Sequence, residues 1–407
     1  MWLRALVWAA AARVAAAGCG SCAGALPSGA PVADSAYLAC CACRTPEISG
    51  LGLDASDVAA LCGALPAANA TLVAPLVARA LYAVGEMQGH WWLDDAGDVE
   101  ENATACLVHL LASMPKRDAL LLFEAPLRGL DFLAETVRLA LRMWPRLDAS
   151  GVPWRVFLDN VLPYAVLNEA RDIEWRPRPR LAQLFASAWT GAANATAAMR
   201  NLAALVPRAA AAFAPSLLDA AGDVAPQPGP VVTWRSETSP GYLSPAQVAG
   251  AFGSCTGTGI FLVAAARAIG VPARLAGCSQ TDVPGDDHHW AEFYDPTSAG
   301  PFGTYWHTKE GTSRGNEGGP WDAPSGPMSG CLRGVVPGSA LNTMWAGAWS
   351  SNTYLPTLWA SDGPLTGAAW AFVGGENVCG AYCTAWGCGP NNTERWTQAE
   401  CGGTAAQ

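Results

Sequence analysis

The chain has 407 residues, and 24 Lys and Arg stand against 34 Asp and Glu, a net charge of −10 that excludes a general polyanion binder. Only 14% of residues are charged and 51% are hydrophobic, so despite 43 Gly and 30 Pro the composition is too apolar for low-complexity disorder and the length suits two or three domains. The 14 Cys gather toward the two ends, at Cys19, Cys22, Cys40, Cys41 and Cys43 and again at Cys379, Cys383, Cys388 and Cys401, a distribution suited to an oxidising compartment.

Residues 1–17 read as a secretory signal peptide. Arg4 precedes the apolar stretch Ala5 to Ala12, and Ala15-Ala16-Ala17 offers a small-residue cleavage site, although Arg13 between them is atypical. With N-x-[ST] sequons at Asn69, Asn102, Asn194 and Asn391, the expected location is the secretory lumen or the cell exterior, and the expected product a disulfide-bonded glycoprotein. Every later apolar run is broken by Arg, Asp or Pro short of the roughly 18 to 20 residues that span a bilayer, so no transmembrane segment is expected. Over 50–205 apolar residues recur at three- and four-residue steps, as in Val58, Leu61 and Leu65 or Leu130, Leu133, Val137 and Leu141, which predicts a helical domain. Residues 206–230, with Pro226, Pro228 and Pro230 alternating, predict a linker.

Residues 231–344 carry the chemistry. Ser244-Pro245-Ala246-Gln247 has the form of a capping box with Pro at the first helical position. Next, Gly253-Ser254-Cys255-Thr256-Gly257 leads into the apolar helix around Ile260, Phe261, Leu262, Ala265 and Ile269, which Gly270 and Pro272 end. Cys255 therefore lies near a helix N-terminus, where unpaired N–H groups and the dipole favour a thiolate. Strands are predicted at Val271–Cys278, His288–Tyr294 and Thr304–Thr308. Strand alternation puts His288, Trp290 and Glu292 on one face and His289, Ala291 and Phe293 on the other, so one histidine alone is expected to meet Cys255. A thiol paired with imidazole suits acyl transfer.

These residues resemble the transglutaminase-like superfamily. The resemblance rests on Gly253-Ser254-Cys255-Thr256, on Arg267-Ala268-Ile269-Gly270-Val271-Pro272-Ala273-Arg274, and on His288-His289-Trp290-Ala291-Glu292-Phe293-Tyr294, which fits an H-x-W-x-E strand. Trp154 to Arg176, with Val161-Leu162-Pro163-Tyr164 and Glu169, also looks like a segment that precedes this core in some members. The resemblance implies an α+β fold: a mostly helical N-terminal domain, a papain-related catalytic core of helix plus antiparallel sheet, and a Cys-rich tail over 345–407. It implies Cys255 as nucleophile and His288 as general base and acid, with His289 the alternative. The family orients the imidazole with an Asp a few residues after a Trp; this chain departs from that, with Glu310 in the place after Trp306 and Asp322 as the alternative.

Other readings of the same residues remain open. Cys255 could be bonded to Cys278; Asp286, Asp287, His288, His289 and His307 could hold a metal; Trp290, Trp306 and Trp321 could line a substrate groove or simply pack the sheet. Cys379, Cys383, Cys388 and Cys401 could form two disulfides or hold zinc, and the loose spacing favours disulfides. Taken together, the sequence points to a cysteine hydrolase or acyltransferase acting on protein or peptide carbonyls through a thioester, with no cofactor, no metal and no nucleic-acid partner. With no EF-hand loop in view, hydrolysis by a peptidase or amidase is expected over amine transfer. The alternative is a secreted binding or scaffold module on the same fold.

Overall fold

The computed structural model describes residues 126–167, 177–206, 244–250, 252–278, 288–310, 321–324, 326–336, 344–349 and 374–401, together with Thr233–Trp234, Glu169 and a few positions between 102 and 110. The expected signal peptide, the early cysteines, the first helical stripes, the Asn69 sequon, Asp286 and Asp287 lie outside the described residues. Two compact units divide the chain at Leu141 and Arg142. In the first, α1 (Pro126–Leu141) buries Phe132, Leu133, Val137 and Ala140 along the stripe that its three- and four-residue spacing predicts.

The second unit begins with three helices, α2 (Trp144–Ala149), α3 (Trp154–Asn160) and α4 (Pro177–Phe185), and a fourth, α5, over 195–206. Two short parallel strands, β1 (Thr233–Trp234) and β2 (Phe252–Gly253), flank α6 (Pro245–Gly250). The capping box at α6 is reciprocal: the Ser244 N–H donates to Gln247 Oε1 at 2.9 Å and the Gln247 N–H donates to Ser244 Oγ at 3.3 Å. After α7 (Cys255–Ala268) come β3 (Ala273–Cys278), β4 (His288–Tyr294), β5 (Trp306–Lys309), α8 (Gly326–Arg333), β6 (Met344–Ala348), β7 (Gly374–Asn377), α9 (Cys379–Trp386) and α10 (Gln398–Cys401).

The five long-range strands form one antiparallel sheet in the order β5-β4-β3-β6-β7. One face receives α7, α4 and α5, with Leu275, Ala291 and Phe293 packed against Phe185, Met199, Ile260 and Phe261. The opposite face buries Ala276, Trp290 and Ala346 against Met328, Leu332 and Tyr382. Helices α4 and α5, placed by sequence in a separate helical domain ending at 205, thus share the core of the sheet, because α7 is apolar on nearly every side and needs covering on both. Likewise β6 and β7 continue the sheet into the stretch from 345 that sequence assigns to a tail. Among the described residues no helix is long and apolar enough to cross a membrane.

Two buried arginines pin the segment around Val161–Glu169 to this core. Arg267 Nε donates to Ala273 O at 2.8 Å and its Nη1 to Ala165 O at 2.7 Å, while Arg178 Nη2 donates to Pro163 O at 2.9 Å and to Val161 O. Glu169 accepts from the Val166 and Leu167 N–H groups at 2.9 and 2.7 Å, and its charge partly offsets the burial that pushes Arg267 down to about 10.

Candidate active site

Cys255 is the first residue of α7. Ser254 caps the helix, its Oγ accepting the Gly257 N–H at 3.3 Å, and the half-buried Cys255 side chain is a thiol rather than half of a disulfide. Cys278, the alternative partner for it, is bonded to Cys331.

His288 is the first residue of β4, so the sulfur meets the strand at its end. The Cys255 thiol is near enough to the His288 ring to act on its charge, and the ring's Nε2 lies 3.0 Å from Oε1 of Glu310, which is 1% exposed. Burial pushes this imidazole down, yet the hydrogen bonds to Cys255 and Glu310 and their charges outweigh it and raise His288 to about 9. Glu310 reaches the ring because β5 pairs with β4 in antiparallel register, Ala291 opposite Lys309, which puts position 310 on the face of Trp290 and His288. Asp322 does not contribute: it accepts from His307 Nδ1 at 2.8 Å and from the Thr308 N–H at 3.0 Å.

Strand alternation correctly turns His289 to the other face, but it does not keep this ring away from the sulfur. His289 Nδ1 lies 3.9 Å from Cys255 Sγ, because a sulfur at the strand end is open to side chains from either face. That contact is weak, since the same Nδ1 is engaged by Thr256 Oγ1 at 2.8 Å. Burial and the charge of His288 hold His289 well below the usual histidine value, so its ring is neutral. The ring fits between Trp345, 5.7 Å away centroid to centroid, and Gly277, where an added Cβ would come within 2.6 Å of His289 Cδ2. Nothing in the sequence flags Thr256 or Trp345.

The tryptophans are accounted for by packing. Trp290 is fully buried and donates Nε1–H to Tyr382 Oη at 2.6 Å; the Arg274 guanidinium lies 3.9 Å from the centre of Trp306; Trp321 meets Phe293 edge to face. The last residue of the H-x-W-x-E strand, Glu292, is paired with Arg274 at 2.5 Å and accepts from the Tyr382 hydroxyl. Tyr382 comes from α9, far along the chain, and its part in this network is another contact that sequence reading missed.

Residues 231–307 match the family model of the transglutaminase-like superfamily, and this part of the chain is a transglutaminase-like domain of helices and a small antiparallel sheet. The match ends before Glu310. No match was found among curated proteins or solved structures.

Proposed function

We propose that Cys255, His288 and Glu310 form a nucleophile, acid–base and orienting triad for acyl transfer from protein or peptide carbonyls. The observation that carries this reading is the setting of His288, hydrogen-bonded to a buried carboxylate at 3.0 Å and raised by a half-buried, unbridged thiol beside it. The proton leaving the sulfur goes to His288. The sulfur attacks the carbonyl carbon, the C–N bond breaks, and the departing amine takes its proton from the imidazolium, which a ring raised to about 9 retains at neutral pH. Water then attacks the thioester carbonyl as His288 accepts its proton, the C–S bond breaks, the acid leaves, and the sulfur takes the proton back from His288. An amine in place of water would make the second step a transfer; we take hydrolysis as the main outcome. The Cys278–Cys331 bridge supports a secretory location, since cytosolic reductants keep such thiols open.

The test uses p-nitrophenyl acetate as acyl donor. A burst of nitrophenolate, with one acetyl group found on the tryptic peptide that carries Cys255, is expected for the wild type and absent in Cys255→Ala. Adding a primary amine separates the two second steps: an unchanged yield of acetate marks a hydrolase, and acetylated amine marks a transferase. No burst and no acetyl group would favour the scaffold reading.

A further inference from the structure

Four sulfurs of the C-terminal segment converge beneath the sheet. Cys379 and Cys383 stand one turn apart on α9, Cys388 lies on the turn that follows, and Cys401 ends α10; all four are 0% exposed. Cys383 is bonded to Cys388. The remaining pair lies close by, Cys379 Sγ at 3.8 Å and Cys401 Sγ at 3.0 Å from Cys383 Sγ, with all three sulfurs within 4.8 Å of one another. A zinc site would need four thiolates or three and another ligand, and with Cys383 and Cys388 bonded to each other only two remain. The same face of the sheet already holds the Cys278–Cys331 disulfide.

The structure assigns Cys379 and Cys401 to a further disulfide, so that two crosslinks staple α9 and α10 into a unit holding Tyr382 against the strand of His288. Forming it removes one proton from each thiol and passes two electrons to an oxidant of the disulfide class, such as oxidised glutathione, whose S–S bond opens to two thiols.

Tyr382 sits between the two α9 cysteines. Its hydroxyl accepts from Trp290 Nε1 at 2.6 Å and donates to Glu292, both inside the H-x-W-x-E strand, and Trp290 lies two residues from His288 on the same face with ring centroids 5.9 Å apart. If α9 undocks, the fully buried Trp290 Nε1–H loses its acceptor, and the strand end that presents His288 shifts. Tyr382 is therefore a positioning residue. This second step rests on the proposed function; the crosslink itself does not.

The full chain, expressed through an oxidising secretory route and blocked with N-ethylmaleimide, is digested without reduction by chymotrypsin. Cuts after Tyr382, Trp386 and Trp396 leave each of the four sulfurs on its own peptide. The expected products are a Cys379 peptide linked to a Cys401 peptide and a Cys383 peptide linked to a Cys388 peptide. Maleimide on both Cys379 and Cys401, any other pairing, or one zinc per chain by elemental mass spectrometry would overturn the assignment.

For the positioning role, the His288 imidazole is titrated by NMR in Tyr382→Phe and in the double variant Cys379→Ser/Cys401→Ser. The midpoint should fall from about 9 in both, while His307, which sits on the neighbouring strand and is held by Asp322, keeps its own. An unmoved His288 would overturn the role. A crosslink found in a chain whose Cys255 takes up no acetyl group would leave the staple standing and remove the proposed function.

Discussion

Two adjacent imidazoles differ in charge because their partners differ. His288 has a carboxylate and a thiol, whereas His289 has a hydroxyl, an indole and a neighbouring positive charge. In an NMR titration His288 is expected to change charge near pH 9 and His289 to stay neutral down through the ordinary histidine range. Because the folded value of His288 lies above its unfolded value of about 6.5, its partners stabilise the fold fully below that pH, and the contribution is lost as pH rises through about 9. Urea midpoints measured from pH 6 to 9.5 should therefore decline across this window, and in Glu310→Gln the decline should be smaller and end at lower pH. A flat profile in both proteins would contradict the assignment. The place of Glu310, four residues after Trp306, was legible, and the structure puts its carboxylate 3.0 Å from His288 Nε2. The proximity of His289 to the sulfur was not, because alternation gives the face of a strand residue but not how far its side chain reaches around a strand end.

At the scale of elements, α7 and the loops that meet it set Cys255 in place. Ser254→Ala removes the cap and should lower stability by about 1 kcal/mol. Arg267→Ala strips the buried carbonyls of Ala165 and Ala273 of their donor, and at about 1–3 kcal/mol for each orphaned group the loss should reach roughly 2–6 kcal/mol. Denaturant melts of both variants check the order; an Arg267→Ala loss no larger than that of Ser254→Ala would show that these carbonyls find other donors. The start of α7 and the full span of β4 were legible because a cap residue and a bounded β-rich run both mark their ends. By contrast β6, Met344-Trp345-Ala346-Gly347-Ala348, is buried along its whole length and so carries no alternation to read. One of its two partner strands is β3, some seventy positions earlier, which local pattern cannot reveal.

Across the whole molecule, covalent bridges tie distant parts of the domain together. The Cys278–Cys331 disulfide closes a separation of 53 residues, and chain-entropy reasoning gives about 4 kcal/mol for a loop of that length. The Cys278→Ser/Cys331→Ser double variant should therefore melt well below the wild type, and an unchanged melting temperature would mean that the unfolded chain is already restrained there. Cysteine counting could raise disulfides as a class but not their connectivity, which depends on the sheet bringing β3 next to α8. That α4 and α5 cover α7 was hidden for a related reason: periodicity finds helices, whereas which apolar face covers which is settled by tertiary packing.

The central claim is the pairing of a reactive Cys255 with a charged His288, and alkylation with iodoacetamide at pH 6, followed by tryptic mapping, tests it most directly. The peptide containing Cys255 should be labelled while the buried Cys106 is spared, and His288→Ala should slow that labelling by about 100-fold or more. Equal labelling of the wild type and His288→Ala, or a Cys255 that never reacts, would contradict the account.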